Sequence, residues 1–136
     1  MLAIDRMTAL RTTLEAEASL RLAYLFGSYA RGEEGAMSDV DVAVWTDEPI
    51  GLLDLGALGE RLSRAAGGQV DIVDLRAAPP LLCRQVVAEG EPLLVRDASF
   101  RLDFELEAVR RYEDTRPLRA MQQDLLKETA NRGRAA

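Results

Sequence analysis

Apolar residues recur along this chain with two periods, and the alternation between the periods marks out a series of elements. Ile4, Met7, Leu10, Leu14 and Ala18 fall at helical spacing, which predicts an amphipathic helix over about Ile4–Ser19. Leu20, Leu22, Tyr24 and Phe26 then alternate with Arg21, Ala23 and Leu25, a strand pattern that runs into Gly27-Ser28. Tyr29–Glu33 reads as a short helix and Gly35-Ala36-Met37-Ser38 as a loop. Asp39–Trp45 is a second strand, with Val40, Val42 and Val44 on one face, and the Asp, Pro and Gly of Thr46–Gly51 form a turn.

The second half continues the alternation. Leu52–Ala66 is a helix with a stop at Gly67-Gly68, and Gln69–Leu75 is a third strand. Pro79-Pro80 opens a helix to about Glu89, as suits proline in a first turn, and Glu91–Arg96 is a short strand. From Ala98 the chain is helical, with Phe100, Phe104, Val109 and Tyr112 among its apolar positions. Pro117 should break that helix after Arg116, leaving a second near Leu118–Glu128 and a frayed tail over Asn131–Ala136. Helices interleaved with three or four short strands predict an α/β (α+β) sheet covered by helices. The order of the strands is not legible in this pattern.

Composition narrows the chemistry. A length of 136 residues and a hydrophobic share of 48% suit one domain with one modest core. The apolar runs are far shorter than the roughly 20 residues that span a bilayer, and no signal-peptide core precedes Asp5 and Arg6, so a cytoplasmic protein is expected. There is no histidine, which excludes a histidine general base, a serine–histidine triad and the common zinc sites within this chain. The single cysteine, Cys83, stands among Leu81, Leu82, Val86 and Val87 and reads as a buried structural thiol. Catalysis must therefore run on carboxylates, hydroxyls, backbone amides and bound metal. A net charge of −6 disfavours nonspecific binding to nucleic acid, while metal ions neutralising the carboxylates would still admit a nucleotide.

The informative stretch is Phe26-Gly27-Ser28-Tyr29-Ala30-Arg31-Gly32 followed by Ser38-Asp39-Val40-Asp41-Val42. Residues two apart on a strand share a face, so Asp39 and Asp41 project together, and a divalent cation relieves their repulsion. Hard oxygen ligands favour Mg²⁺ or Mn²⁺. Alone, Asp-x-Asp also describes a solvated strand edge, and Gly27-Ser28 also describes an ordinary turn and helix cap. Together they suggest a phosphate grip beside a metal site, since a glycine permits close approach and amides at a helix start favour anions. Asp71, between Val70 and Ile72, is a candidate third metal ligand or the base that receives a proton. Asp74 faces the other way and reads as a turn or capping residue.

Gly-Ser, ten residues, Asp-x-Asp and a later Val-Asp-Ile-Val strand resemble the polymerase β-type nucleotidyltransferase superfamily. Phe-Gly-Ser-Tyr-Ala-Arg-Gly with Ser-Asp-Val-Asp-Val most resembles its minimal nucleotidyltransferases, the antitoxins of HEPN/MNT toxin–antitoxin pairs. The match runs from about Leu20 to Leu75. The resemblance implies a polymerase β-like fold, a small mixed sheet of three to five strands flanked by helices. Residues 1–97 would form the nucleotidyltransferase core and 98–136 a helical C-terminal extension of the same domain. It implies Gly27 and Ser28 on the triphosphate of ATP, Asp39 and Asp41 holding two Mg²⁺ ions, and Asp71 completing the site. Arg31 either reaches phosphate or is a surface or structural arginine.

The implied activity is AMP transfer to a hydroxyl, that of a tyrosine, on a partner HEPN ribonuclease toxin, which this chain would bind and neutralise. No membrane and no direct nucleic-acid contact are implied. The helices over Ala98–Asn131 either dock that partner, cover the sheet, or do both. Two other readings stay open: neutralisation by binding without catalysis, and transfer to a small molecule such as an aminoglycoside.

Overall fold

The strand pattern Leu20–Phe26 forms β1, and five of its seven residues from Leu22 on are buried although their side chains alternate between faces. A strand buried on both faces belongs in the middle of a sheet, and β1 pairs antiparallel with both β2 (Val40–Thr46) and β4 (Glu91–Val95). The computed structural model describes residues 4–27 and 40–134. Among them lies one four-stranded sheet, ordered β3-β2-β1-β4, with β3 (Val70–Asp74) at one edge. β2 and β3 run parallel, a pairing that needs a crossover, and α2 (Leu52–Ala66) supplies it. The expected short helix at Tyr29–Glu33 and the loop at 35–38 lie outside the described residues.

Each face of the sheet has its own core. On one, Leu10 and Leu14 of α1 (Ile4–Glu15) and Leu58, Leu62 and Ala66 of α2 bury Val40, Val42 and Val44. On the other, Cys83 and Val86 of α3 (Pro80–Glu89) and Phe104 and Ala108 of α4 (Ala98–Asp114) cover Leu22, Tyr24, Phe26 and Ala43. No helix among the described residues is long and apolar enough to cross a membrane.

Local signals set most of the element ends. Gly67 closes α2 in the left-handed conformation, φ 72°, and donates to Ser63 O. Ser63 Oγ in turn accepts from Val70 N at 3.0 Å, tying the helix end to the start of β3. Asp97 caps α4 by accepting from Ser99 N and Phe100 N, and Asp74 accepts from Arg76 N at 3.0 Å, the turn role that is one of the two expected of it.

The differences from expectation have local causes. α1 stops at Glu15 rather than Ser19, because the guanidinium of Arg96 takes the carbonyls of Glu15, Glu17 and Leu20 and holds the chain in a turn. The second strand extends to Thr46, and the third and fourth are each shorter than expected, by two residues and by one. The inward face of α4 is Phe100, Phe104 and Ala108, four apart, so Val109 lies a step round the helix and is exposed. The break near Pro117 falls at Thr115 instead, and α5 (Arg116–Arg134) takes the proline into its first turn, where no amide is needed. That helix runs on to Arg134, through the segment expected to fray from Asn131.

Candidate active site

Sheet register brings together what the sequence separates. Phe26, the last residue of β1, lies opposite Asp41 of β2, and Asp41 lies beside Asp71 of β3 in the parallel ladder. Neighbouring strands are spaced by about 4.8 Å, and register partners point to the same face. That face is the one bearing Ala43, Trp45 and Val73, covered further along by α3 and α4. Asp41 is half-buried and Asp71 is exposed at the sheet edge, where Gln69 Nε2 donates to its Oδ1 at 3.3 Å.

Gly27 adds the third described component. Its φ of +82° lies in the left-handed region that side chains other than glycine's rarely adopt. A methyl group built on it would overlap Asp41 Oδ2 and come within 3.1 Å of the carboxyl carbon. The Asp41 carboxylate therefore lies directly against the Gly27 backbone, and glycine is required there for conformation and for space. Ser28, Arg31 and Asp39 lie outside the described residues.

Two carboxylates on adjacent strands repel each other. Two hard oxygen donors with a solvent-open side suit a divalent cation of the Mg²⁺ type, which keeps part of its shell for phosphate and water. Among the described residues no group of three carboxylates, cysteines or histidines converges.

The covering face is held rigidly. Tyr24 OH donates to Glu105 Oε1 at 2.7 Å, and Arg101 Nε donates to the same carboxylate at 2.9 Å. Burial, and then the bond to Glu105, push the Tyr24 phenol well above its ordinary value. Burial alone would raise Glu105, but the bonds from Arg101 and Tyr24 outweigh it and hold the carboxyl below its usual range. Trp45 is packed by Phe100 at 5.5 Å and by Phe104 at 5.8 Å, with the Arg76 guanidinium 5.1 Å over its ring. Cys83 is buried, and that burial raises its thiol, as suits an inert structural cysteine. Sequence reading missed Gln69, whose only signal was its place two residues before Asp71. It also missed the Tyr24–Glu105–Arg101 network, whose partners lie 81 residues apart.

Comparison with known proteins places this arrangement. The family model "Polymerase beta, Nucleotidyltransferase" matches residues 9–99, from α1 to the start of α4. The protein adenylyltransferase MntA of Shewanella oneidensis is 42% identical over 74 residues, which cover 54% of this chain and 53% of that protein. The chain thus matches about half the length of that relative. Among solved structures, a chain of a toxin–antitoxin crystal structure with AMP-PNP superposes with a TM-score of 0.74 at 32% identity, covering 91% of this chain and 98% of its own. A chain from a complex of tri-AMPylated Shewanella oneidensis HEPN toxin with MNT antitoxin gives 0.71 at 28% identity, covering 92% and 96%.

Proposed function

The chain belongs to the polymerase beta nucleotidyltransferase family, and on that premise we propose that it moves AMP from ATP onto a hydroxyl of a partner HEPN ribonuclease toxin, as its antitoxin. The carrying observation is the Gly27 backbone pressed against Asp41, with Asp71 beside Asp41 in register. The AMP-PNP of one structural relative and the AMPylated HEPN toxin bound to MNT antitoxin in another support the nucleotide and the acceptor.

Asp39, Asp41 and Asp71 would hold two Mg²⁺ ions, which would neutralise the triphosphate and the charge that builds on the attacking and leaving oxygens. The chain's own residues do the rest. Gly27 lets the backbone approach the triphosphate where a side chain would collide, with Ser28 donating a hydroxyl hydrogen bond and Arg31 within the same segment. Asp41, fixed against Gly27, would hold its cation in a set position beside the triphosphate. Asp71, exposed at the sheet edge, faces the side from which an acceptor arrives and takes its proton. The acceptor oxygen, a tyrosine hydroxyl, bonds to the α-phosphorus as the bond to the β-phosphate oxygen breaks and pyrophosphate leaves. Positioning and electrostatics supply most of the rate enhancement in such a transfer. Residues 1–97 carry this chemistry in the cytoplasm, where ATP is at hand, and 98–136 extend the domain toward the partner.

Intact mass of the HEPN protein from the same gene neighbourhood, after co-expression, tests the proposal. A gain of one or more AMP units is expected with the unmutated chain and none with the Asp39→Ala, Asp41→Ala form. A stable complex with no gain in either case would mean neutralisation by binding alone.

A further inference from the structure

α5 is an amphipathic helix whose apolar side is left uncovered by the other described residues. Every side chain from Ala120 to Asn131 is exposed, and Leu118, Met121, Leu125 and Leu126 are 56–70% open to solvent. An isolated helix of 19 residues is marginal in water, so a stripe of this kind is made to be covered.

The stripe is in phase with α4. Steps of four and three residues lead from Phe104 through Ala108, Arg111 and Thr115 to Leu118, and on to Leu125. Thr115 keeps a right-handed helical turn (φ −87°, ψ −1°), and Arg119, stacked 3.8 Å from the Tyr112 ring and bonded to its hydroxyl at 2.9 Å, braces the junction. On α4 this seam borders an apolar groove of about 340 Å³ between the helix and Trp45 of β2.

Arg21 lies over Phe100 and Tyr24 packs on Phe104, while further along Ala108 and Arg111 border Cys83 and Arg84 lies 5.8 Å from the Tyr112 ring, so α4 crosses the sheet toward the first half of α3 and α5 continues from there.

We infer that α5 is the docking arm for the acceptor protein, holding it by the apolar seam that continues from α4. This rests on the transferase reading above. Charge selects the occupant: α5 holds five basic and two acidic residues in a chain with 17 basic and 23 acidic. A partner surface rimmed with carboxylates matches it. A second α5 would bring together two helices that each carry a net excess of three basic residues. An anionic bilayer would repel the acidic body, and a flat membrane does not follow the seam into the groove beside Trp45.

The test is Leu118→Glu with Leu125→Glu in the full chain, two exposed positions whose change spares the core. Three quantities are read: affinity for the HEPN protein by calorimetry, that protein's mass gain, and ATP binding. Weakening of the complex by roughly 100-fold, with ATP binding unchanged, is the expected result. Unchanged affinity for the HEPN protein, or none even with the unmutated chain, would overturn the inference. So would light scattering showing the unmutated chain alone as a dimer that the variant splits. Capture of the chain by phosphatidylcholine–phosphatidylglycerol vesicles, lost in the variant while HEPN affinity holds, would assign the stripe to membrane and overturn it too. If the variant still modifies the HEPN protein at full rate, the arm fails and the transferase stands. A partner that binds through α5 yet gains no mass leaves the arm standing and removes the transferase.

Discussion

Replacing Gly27 with alanine adds one methyl group at the point where conformation and space are both tight. The left-handed φ of +82° costs a non-glycine residue about 1–2 kcal/mol. The methyl would also overlap Asp41 Oδ2, so the carboxylate must move by roughly 1 Å to restore ordinary carbon–oxygen contact. A displacement of that size at a positioning group lowers a transfer rate by about 100-fold. Strain alone should lower the melting temperature by roughly 3–10 °C for a domain of this size. The assay pairs thermal unfolding with timed AMP transfer to the HEPN protein at saturating ATP. Asp41→Asn serves as the reference, since it removes the carboxylate charge without touching the backbone and should lose transfer while melting like the parent. A Gly27→Ala variant with parental melting and parental transfer would refute the reasoning, because neither the left-handed backbone nor the contact with Asp41 could then matter.

Other expectations follow from the same geometry. Millimolar Mg²⁺ should raise the melting temperature of the parent and not that of Asp41→Asn, and chelation should stop transfer; equal stabilisation of both proteins would remove Asp41 from the metal site. Tyr24 is held above its ordinary value in the fold, so its contribution to stability is complete below about pH 10 and is lost as pH rises beyond that, by up to about 1.4 kcal/mol per pH unit. Denaturant unfolding of Tyr24→Phe should lose that alkaline slope, and a slope that persists would point to another group. Glu105 has the opposite sense: its share is present above the ordinary carboxylate range and fades as pH falls below it. Arg96→Ala should cost about 1–3 kcal/mol by freeing the carbonyls of Glu15, Glu17 and Leu20, seen as faster amide exchange across the α1–β1 turn.

Much of this protein is legible in one dimension, because side-chain period and turn chemistry are local. The alternation of Leu20–Phe26 and the 3.6-residue repeat of Leu52–Ala66 name a strand and a helix to the residue, and Gly67 stops the helix by a conformation that only neighbouring atoms decide. The spacing of Gly27-Ser28 and Asp-x-Asp likewise suffices to suggest phosphate and metal, and family resemblance sharpens it. Boundaries went astray where a distant group intervened, as when Arg96 ends α1 from 81 residues away.

Tertiary structure decided the rest. No local period encodes that β2 lies between β1 and β3, so the adjacency of Asp41 to Asp71 and the press of Asp41 on Gly27 arise only from pairing register. The Tyr24–Glu105 bond and the choice of Ala108 over Val109 as a core residue depend on which way α4 rolls on the sheet. The apolar seam on α5 is visible as a repeat in the sequence, but that repeat reads equally as core. Its exposure is a property of the fold, because the described residues that pack on the sheet leave that face of α5 uncovered.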